Sequence, residues 1–75
     1  MDVVVSDDFL GGEEEAELAA WLVESGDAVA AGEPIAEIET NKASAELPAP
    51  AAGTIELLAA PGALIEPGAV IARLS

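Results

Sequence analysis

Lys42 is the only lysine in this 75-residue chain, and it is the side chain with the clearest capacity for chemistry because little else is on offer. The sequence contains neither cysteine nor histidine. Their absence removes thiolate nucleophiles, disulfides, the commonest general base and the commonest metal ligands. Ser-His-Asp and Cys-His hydrolysis, zinc sites and cysteine redox chemistry are thereby excluded. Lys42 lies in the stretch Ile38 to Glu46, with Glu39 and Glu46 close by in sequence. A Schiff-base or general-base lysine needs burial or neighbouring cations. Neither is in view here, and no segment looks able to line a substrate pocket beside it. The better reading is an amine that another enzyme acylates, set against a plain solvated turn lysine. Glu13, Glu14 and Glu15 are three adjacent carboxylates, but neighbours in sequence point different ways and no calcium-loop spacing is present. They read as a solvated charge run. No catalytic residue and no metal ligand is expected.

The elements that would position Lys42 come from an internal repeat. Residues 26–38 superpose on residues 62–74 at a constant offset of 36, without a gap. Gly26 meets Gly62, Val29 meets Ile65, Gly32 meets Gly68, Ile35 meets Ile71 and Ile38 meets Leu74. Glycine recurring at the same places implies turns that need positive φ or close backbone approach. Residues 13–24 are rich in Glu, Ala and Leu and, taken alone, look helical. Their counterpart carries Gly53, Thr54, Ile55 and Pro61, which favours strand. The five prolines cut the remainder into strand lengths. The chain is therefore expected to be all-β, with strands near Val3–Ser6, Glu17–Val23, Ile35–Thr40, Ala43–Leu47, Thr54–Ala59 and Val70–Leu74. Brief extended pieces are expected around Val29 and Ile65. Two similar halves packed face to face about a pseudo-two-fold would bury the larger apolar residues between two sheets. Trp21 falls on Leu57 and reads as core. Lys42 lies between the two copies, and in a hairpin Asn41-Lys42 would be the tip. Asparagine suits such a place because it tolerates left-handed geometry.

Composition sets the remaining bounds. A chain of this size buries only about 60% of the surface exposed when unfolded, and seventeen of its residues are alanine, so the core must be thin. Fifteen acidic residues face Lys42 and Arg73 alone, a net charge of −13. Nucleic acid and anionic membrane surfaces both require a cationic face, so neither is an expected partner. The longest uncharged stretches, residues 47–55 and 57–65, fall far short of the ~20 residues of a membrane-spanning helix. The first residues lack the cationic start of a secretory signal. A cytoplasmic or equivalent reducing location is expected.

The residues Glu39-Thr40-Asn41-Lys42-Ala43, followed by Glu46-Leu47-Pro48-Ala49-Pro50 and Gly53, resemble the attachment hairpin of lipoyl domains. These are carrier domains of the acyltransferase component of 2-oxo acid dehydrogenase complexes. The resemblance runs through Trp21-Leu22-Val23, Gly26-Asp27-Ala28-Val29 and Gly32-Glu33-Pro34-Ile35 to Gly68-Ala69-Val70-Ile71, so residues 1–75 read as one lipoyl-type carrier domain. It implies a flattened barrel of two four-stranded antiparallel sheets, the lysine on a tight turn at one end and both termini at the other. It implies lipoate on Lys42, attached by a lipoate ligase or octanoyl transferase that reads the hairpin residues Glu39, Thr40, Asn41 and Ala43. It further implies three partners that the arm would visit: a thiamine-dependent 2-oxo acid decarboxylase, an acyltransferase catalytic domain and the flavoprotein dihydrolipoamide dehydrogenase. Phe9-Leu10-Gly11-Gly12 resembles the loop beside the lysine that helps partners choose, although Phe9 and Leu10 could equally pack onto the core. Asn41 stands where the family usually has aspartate. The closest rival is the biotinyl carrier domain, whose lysine is normally flanked by methionines, whereas here the flanks are Asn41 and Ala43. Two other readings are an unmodified acidic interaction module of the same fold and a free-standing carrier for a different lipoate system. With no linker and no catalytic domain, the chain is expected to be an excised domain or a small separate protein.

Overall fold

A computed structural model describes residues 1–75. Alternation marks the first two strands: β1 (Asp2–Val5) buries Val3 and Val5, and β2 (Ala16–Trp21) buries Ala16 and Leu18. β3 (Ala28–Val29), β4 (Pro34–Glu39), β5 (Ser44–Pro48), β6 (Gly53–Leu57), β7 (Leu64–Ile65) and β8 (Ala69–Leu74) complete the set. Residues 13–24 are thus not a helix. Ala16 and Leu18 point inward while Glu15 and Glu17 point to solvent, and this two-residue period outweighs the local helix propensity. Strand β2 stops at Trp21, short of the expected Val23, and β6 stops at Leu57, short of Ala59.

The strands form two antiparallel four-stranded sheets, ordered β1-β8-β6-β3 and β5-β4-β2-β7. Each sheet takes its inner pair from one repeat and its outer pair from the other, so the halves exchange edge strands as well as facing each other. The hydrogen bonds repeat with the sequence. Leu22 N–H donates to Ile35 O at 2.9 Å, and Leu58 N–H to Ile71 O at 2.9 Å. Gly32 N–H reaches Ala49 O and Gly68 N–H reaches Val5 O, both at 2.8 Å. Between the sheets lie sixteen buried apolar residues in one cluster and no buried polar residue. Ala36 and Ala72, equivalent in the repeat, are both fully buried. Small side chains at these places suit a thin, closely packed core.

One element was not expected. Residues Asp7–Leu10 form a single helical turn, α1, whose amide at Phe9 donates to Ser6 Oγ at 3.2 Å. Gly11 closes it in left-handed geometry, with its N–H on Asp8 O. Both caps are ordinary start and stop signals. The turn is inserted between β1 and β2, where the second repeat has only residues 49–52, and so breaks the symmetry at one end of the molecule.

Gly32 and Gly68 have φ of +84° and +89°, and no atom lies within 4 Å of where a β-carbon would stand. The cost of a side chain there is conformational, not steric. Gly32→Val and Gly68→Val should each destabilise by roughly 1–2 kcal/mol. Thermal melts should show this as a fall in Tm of about 4–8 °C per kcal/mol in a domain of this size. Unchanged midpoints in both variants would show that glycine is not required at these turns.

Candidate functional site

The β4–β5 ladder ends with Ile38 opposite Ala45 and Glu39 opposite Ser44. Four residues close it. Thr40 N–H donates to Ala43 O at 2.8 Å, and the Thr40 hydroxyl donates to the same carbonyl at 2.9 Å. The hydroxyl oxygen accepts from the amides of Lys42 at 3.3 Å and Ala43 at 3.2 Å. One side chain thereby occupies the donor and acceptor capacity of the turn, a threonine-turn pattern readable in principle from Thr at this spacing. Only glycines in the chain have positive φ. Asn41 is at the tip but is not left-handed, contrary to the sequence expectation, because Thr40 stabilises an ordinary turn that does not need that geometry.

Lys42 stands clear of this turn with its side chain 83% exposed. Its Nζ is 3.7 Å from Glu13 Oε1, an ion pair that at such exposure is worth about 0–1 kcal/mol. Glu13 itself is largely covered, and Oε1 is buried with no hydrogen-bond donor. Glu14 and Glu15 are solvated as expected, but Glu13 has folded in toward the lysine. No group of three or more acidic side chains converges as a metal site would require.

Two open grooves flank the hairpin where the sequence suggested no pocket. One, of about 590 Å³, is acidic and is bordered by Glu13, Glu14, Glu15, Glu17, Glu39 and Asn41. The other, of about 220 Å³, is largely apolar and runs between α1 and the hairpin. Phe9, Leu10 and Gly11 line it on one side, Lys42, Ala43 and Ala45 on the other. Gly12 belongs to the acidic groove with Thr40 and Asn41. The structure therefore brings residues 9–12 against the lysine hairpin. Leu10 also joins the core, and Phe9 packs half-buried against it. Trp21 is not core as expected. It is half-buried, and its indole N–H donates to Ala59 O at 2.9 Å, which keeps the ring at the sheet's margin.

The chain ends meet at the opposite end. Met1 and Leu74 exchange two backbone hydrogen bonds of 2.7 Å, and β1 runs from there toward Val5 and α1. In the repeat, this Leu74–Met1 pair is the equivalent of Ile38–Ala45. The lysine turn thus occupies in one half the place where the termini meet in the other. The result is an exposed amine on a hydrogen-bonded turn, reachable from solvent.

Residues 4–74 match the Biotin_lipoyl family, described as biotin-requiring enzyme. The chain is 44% identical over 61 residues to the dihydrolipoyllysine-residue acetyltransferase component of the pyruvate dehydrogenase complex of Corynebacterium glutamicum, covering 80% of this chain and 9% of that protein. It is 52% identical over 58 residues to the mitochondrial acetyl-CoA carboxylase of Saccharomyces cerevisiae, covering 77% and 3% respectively. The succinyltransferase component of the 2-oxoglutarate dehydrogenase complex of Bartonella vinsonii is 40% identical over 58 residues, 76% of this chain and 14% of that protein. The chain spans a small fraction of the length of each of these relatives.

Proposed function

This chain belongs to the biotin/lipoyl family of carrier domains, and from that premise we propose that it is a single lipoyl carrier unit loaded at Lys42. The observation that carries the reading is the sole lysine, exposed on the Thr40-braced turn, within a Glu39–Ala43 stretch that resembles the lipoyl attachment motif. The site fits the group, since a free primary amine can form the amide and an apolar groove lies beside it. Bound lipoate supplies a dithiolane that carries acyl groups and electrons. The chain itself supplies position. The Thr40 hydroxyl fixes the turn, the turn leaves the Lys42 side chain exposed, and tethering raises the effective concentration of whatever Lys42 carries.

The partners proposed are a lipoate ligase or octanoyl transferase, a thiamine-dependent 2-oxo acid decarboxylase, an acyltransferase domain and dihydrolipoamide dehydrogenase, in a cytoplasmic setting. Glu39, Thr40, Asn41 and Ala43 are the surface a loading enzyme would read. Within the Phe9–Gly12 segment, Phe9, Gly11 and Gly12 are the surface a decarboxylase would read, and Leu10, buried in the core, anchors them. A biotinyl carrier is the second reading, favoured by the match to the yeast carboxylase. The two separate in one experiment, in which the protein is offered to a lipoate ligase with lipoate and to a biotin ligase with biotin. Intact mass should show one lipoyl adduct in the first and none in the second. A biotinyl adduct with no lipoyl adduct overturns the proposal.

A further inference from the structure

We propose that the apolar groove between α1 and the hairpin is a seat for the arm carried on Lys42, and that Glu13 Oε1 is the acceptor that steers the arm into it. The inference rests on Lys42 being acylated. The floor of the groove is core: Leu10 is 3% exposed and Ile38 1%. Phe9, Ala43 and Ala45 form its sides, and Lys42 is itself part of the rim. Burying methylene groups against such a surface is favourable, and nothing in the groove except Glu13 and Lys42 is charged.

Glu13 gives the arm a direction. Its Oε1 is buried, has no hydrogen-bond donor, and lies 3.7 Å from Lys42 Nζ. A buried acceptor without a donor is costly to leave unmatched. The ammonium of the free lysine matches it only at ion-pair range. Acylation replaces that ammonium with a neutral amide that retains one N–H. This N–H then donates to Oε1, and the acyl chain beyond it departs from a point already held beside the groove. The groove volume, about 220 Å³, falls below the ~300 Å³ at which small-molecule pockets begin. The groove is also open to solvent, so a seated arm keeps one side in water and the seat is reversible, compatible with a carrier that must let go.

The test bypasses any ligase. Lipoic acid N-hydroxysuccinimide ester acylates Lys42 directly: Nζ forms the amide, N-hydroxysuccinimide leaves, and a proton passes to solvent. Singly modified products are separated by chromatography, and peptide mapping of an aliquot of each identifies the one acylated at Lys42 and not at the terminal amine. Methyl-resolved NMR should then show shifts at Leu10, Ile38, Ala43 and Ala45, with nuclear Overhauser contacts from the arm's methylenes to Leu10 and Ile38. Glu13→Ala and Ala45→Asp, both away from the core cluster, should keep the fold and lose those contacts. Shifts confined to residues 40–44 in the wild type overturn the seat, as do contacts that persist unchanged in both variants. Failure of enzymatic loading would instead strike at the lipoyl reading and would leave this measurement standing.

Discussion

Lys42→Arg is expected to abolish covalent loading completely while leaving the fold intact. Arginine keeps the length and the positive charge, and it can retain a contact with Glu13, but its guanidinium stays protonated and is not acylated. The side chain at this position is 83% exposed, so the substitution falls in the class of surface changes worth within about ±0.5 kcal/mol. No other lysine can take over. Intact-mass analysis after incubation with lipoate ligase should give an unmodified variant beside a fully shifted wild type, and far-UV circular dichroism of the two should coincide. An adduct on the arginine variant would place the attachment on a hydroxyl or on the terminal amine, and would remove Lys42 from the site.

The glycine spacing and the offset of 36 carried most of the fold, because a repeat reports turns and inward-facing positions twice. That is why residues 13–24 could be read as strand against their own helix propensity: their counterpart around Ile55 settled the matter. What the repeat could not report is whatever one half has and the other lacks. Helix α1 is such an insertion, and although Ser6 and Gly11 are caps, a single turn leaves too short a pattern to stand out. The exchange of edge strands was hidden for a different reason. Pairing between β1 and β8 depends on contacts across almost the whole chain, which no local pattern encodes.

At the candidate site, Lys42 stands out by inventory, since a chain with one lysine and no histidine or cysteine leaves few choices. Its setting was less so. Glu13 reads as one of three equivalent carboxylates, and only the turn of chain after Gly11 and Gly12 brings it, and not Glu14 or Glu15, beside Nζ. Thr40 was recognised as part of a motif, but its hydroxyl, not the backbone preference of Asn41, braces the turn.

That bracing leads to the second large effect. The double variant Asn41→Lys, Lys42→Ala keeps one lysine at the tip but moves it by one residue, and it is expected to fold normally and to take no lipoyl adduct. The turn should survive because Thr40 Oγ binds the backbone amides of residues 42 and 43, which do not depend on either altered side chain. The amine, however, changes sides. Residue 42 borders the apolar groove with Phe9 and Ala43, whereas residue 41 borders the acidic groove with Glu14, Glu15, Glu17 and Glu39. A loading enzyme that grips the folded hairpin would find the amine displaced from its reacting centre, and misplacement by as little as about 1 Å can cost a hundredfold in rate. The measurement is again intact mass, over a time course long enough to load the wild type fully, with circular dichroism to verify the fold. Loading of the shifted lysine at the wild-type rate would mean that exposure alone suffices, and that the placement of Lys42 over the groove has no part in its selection.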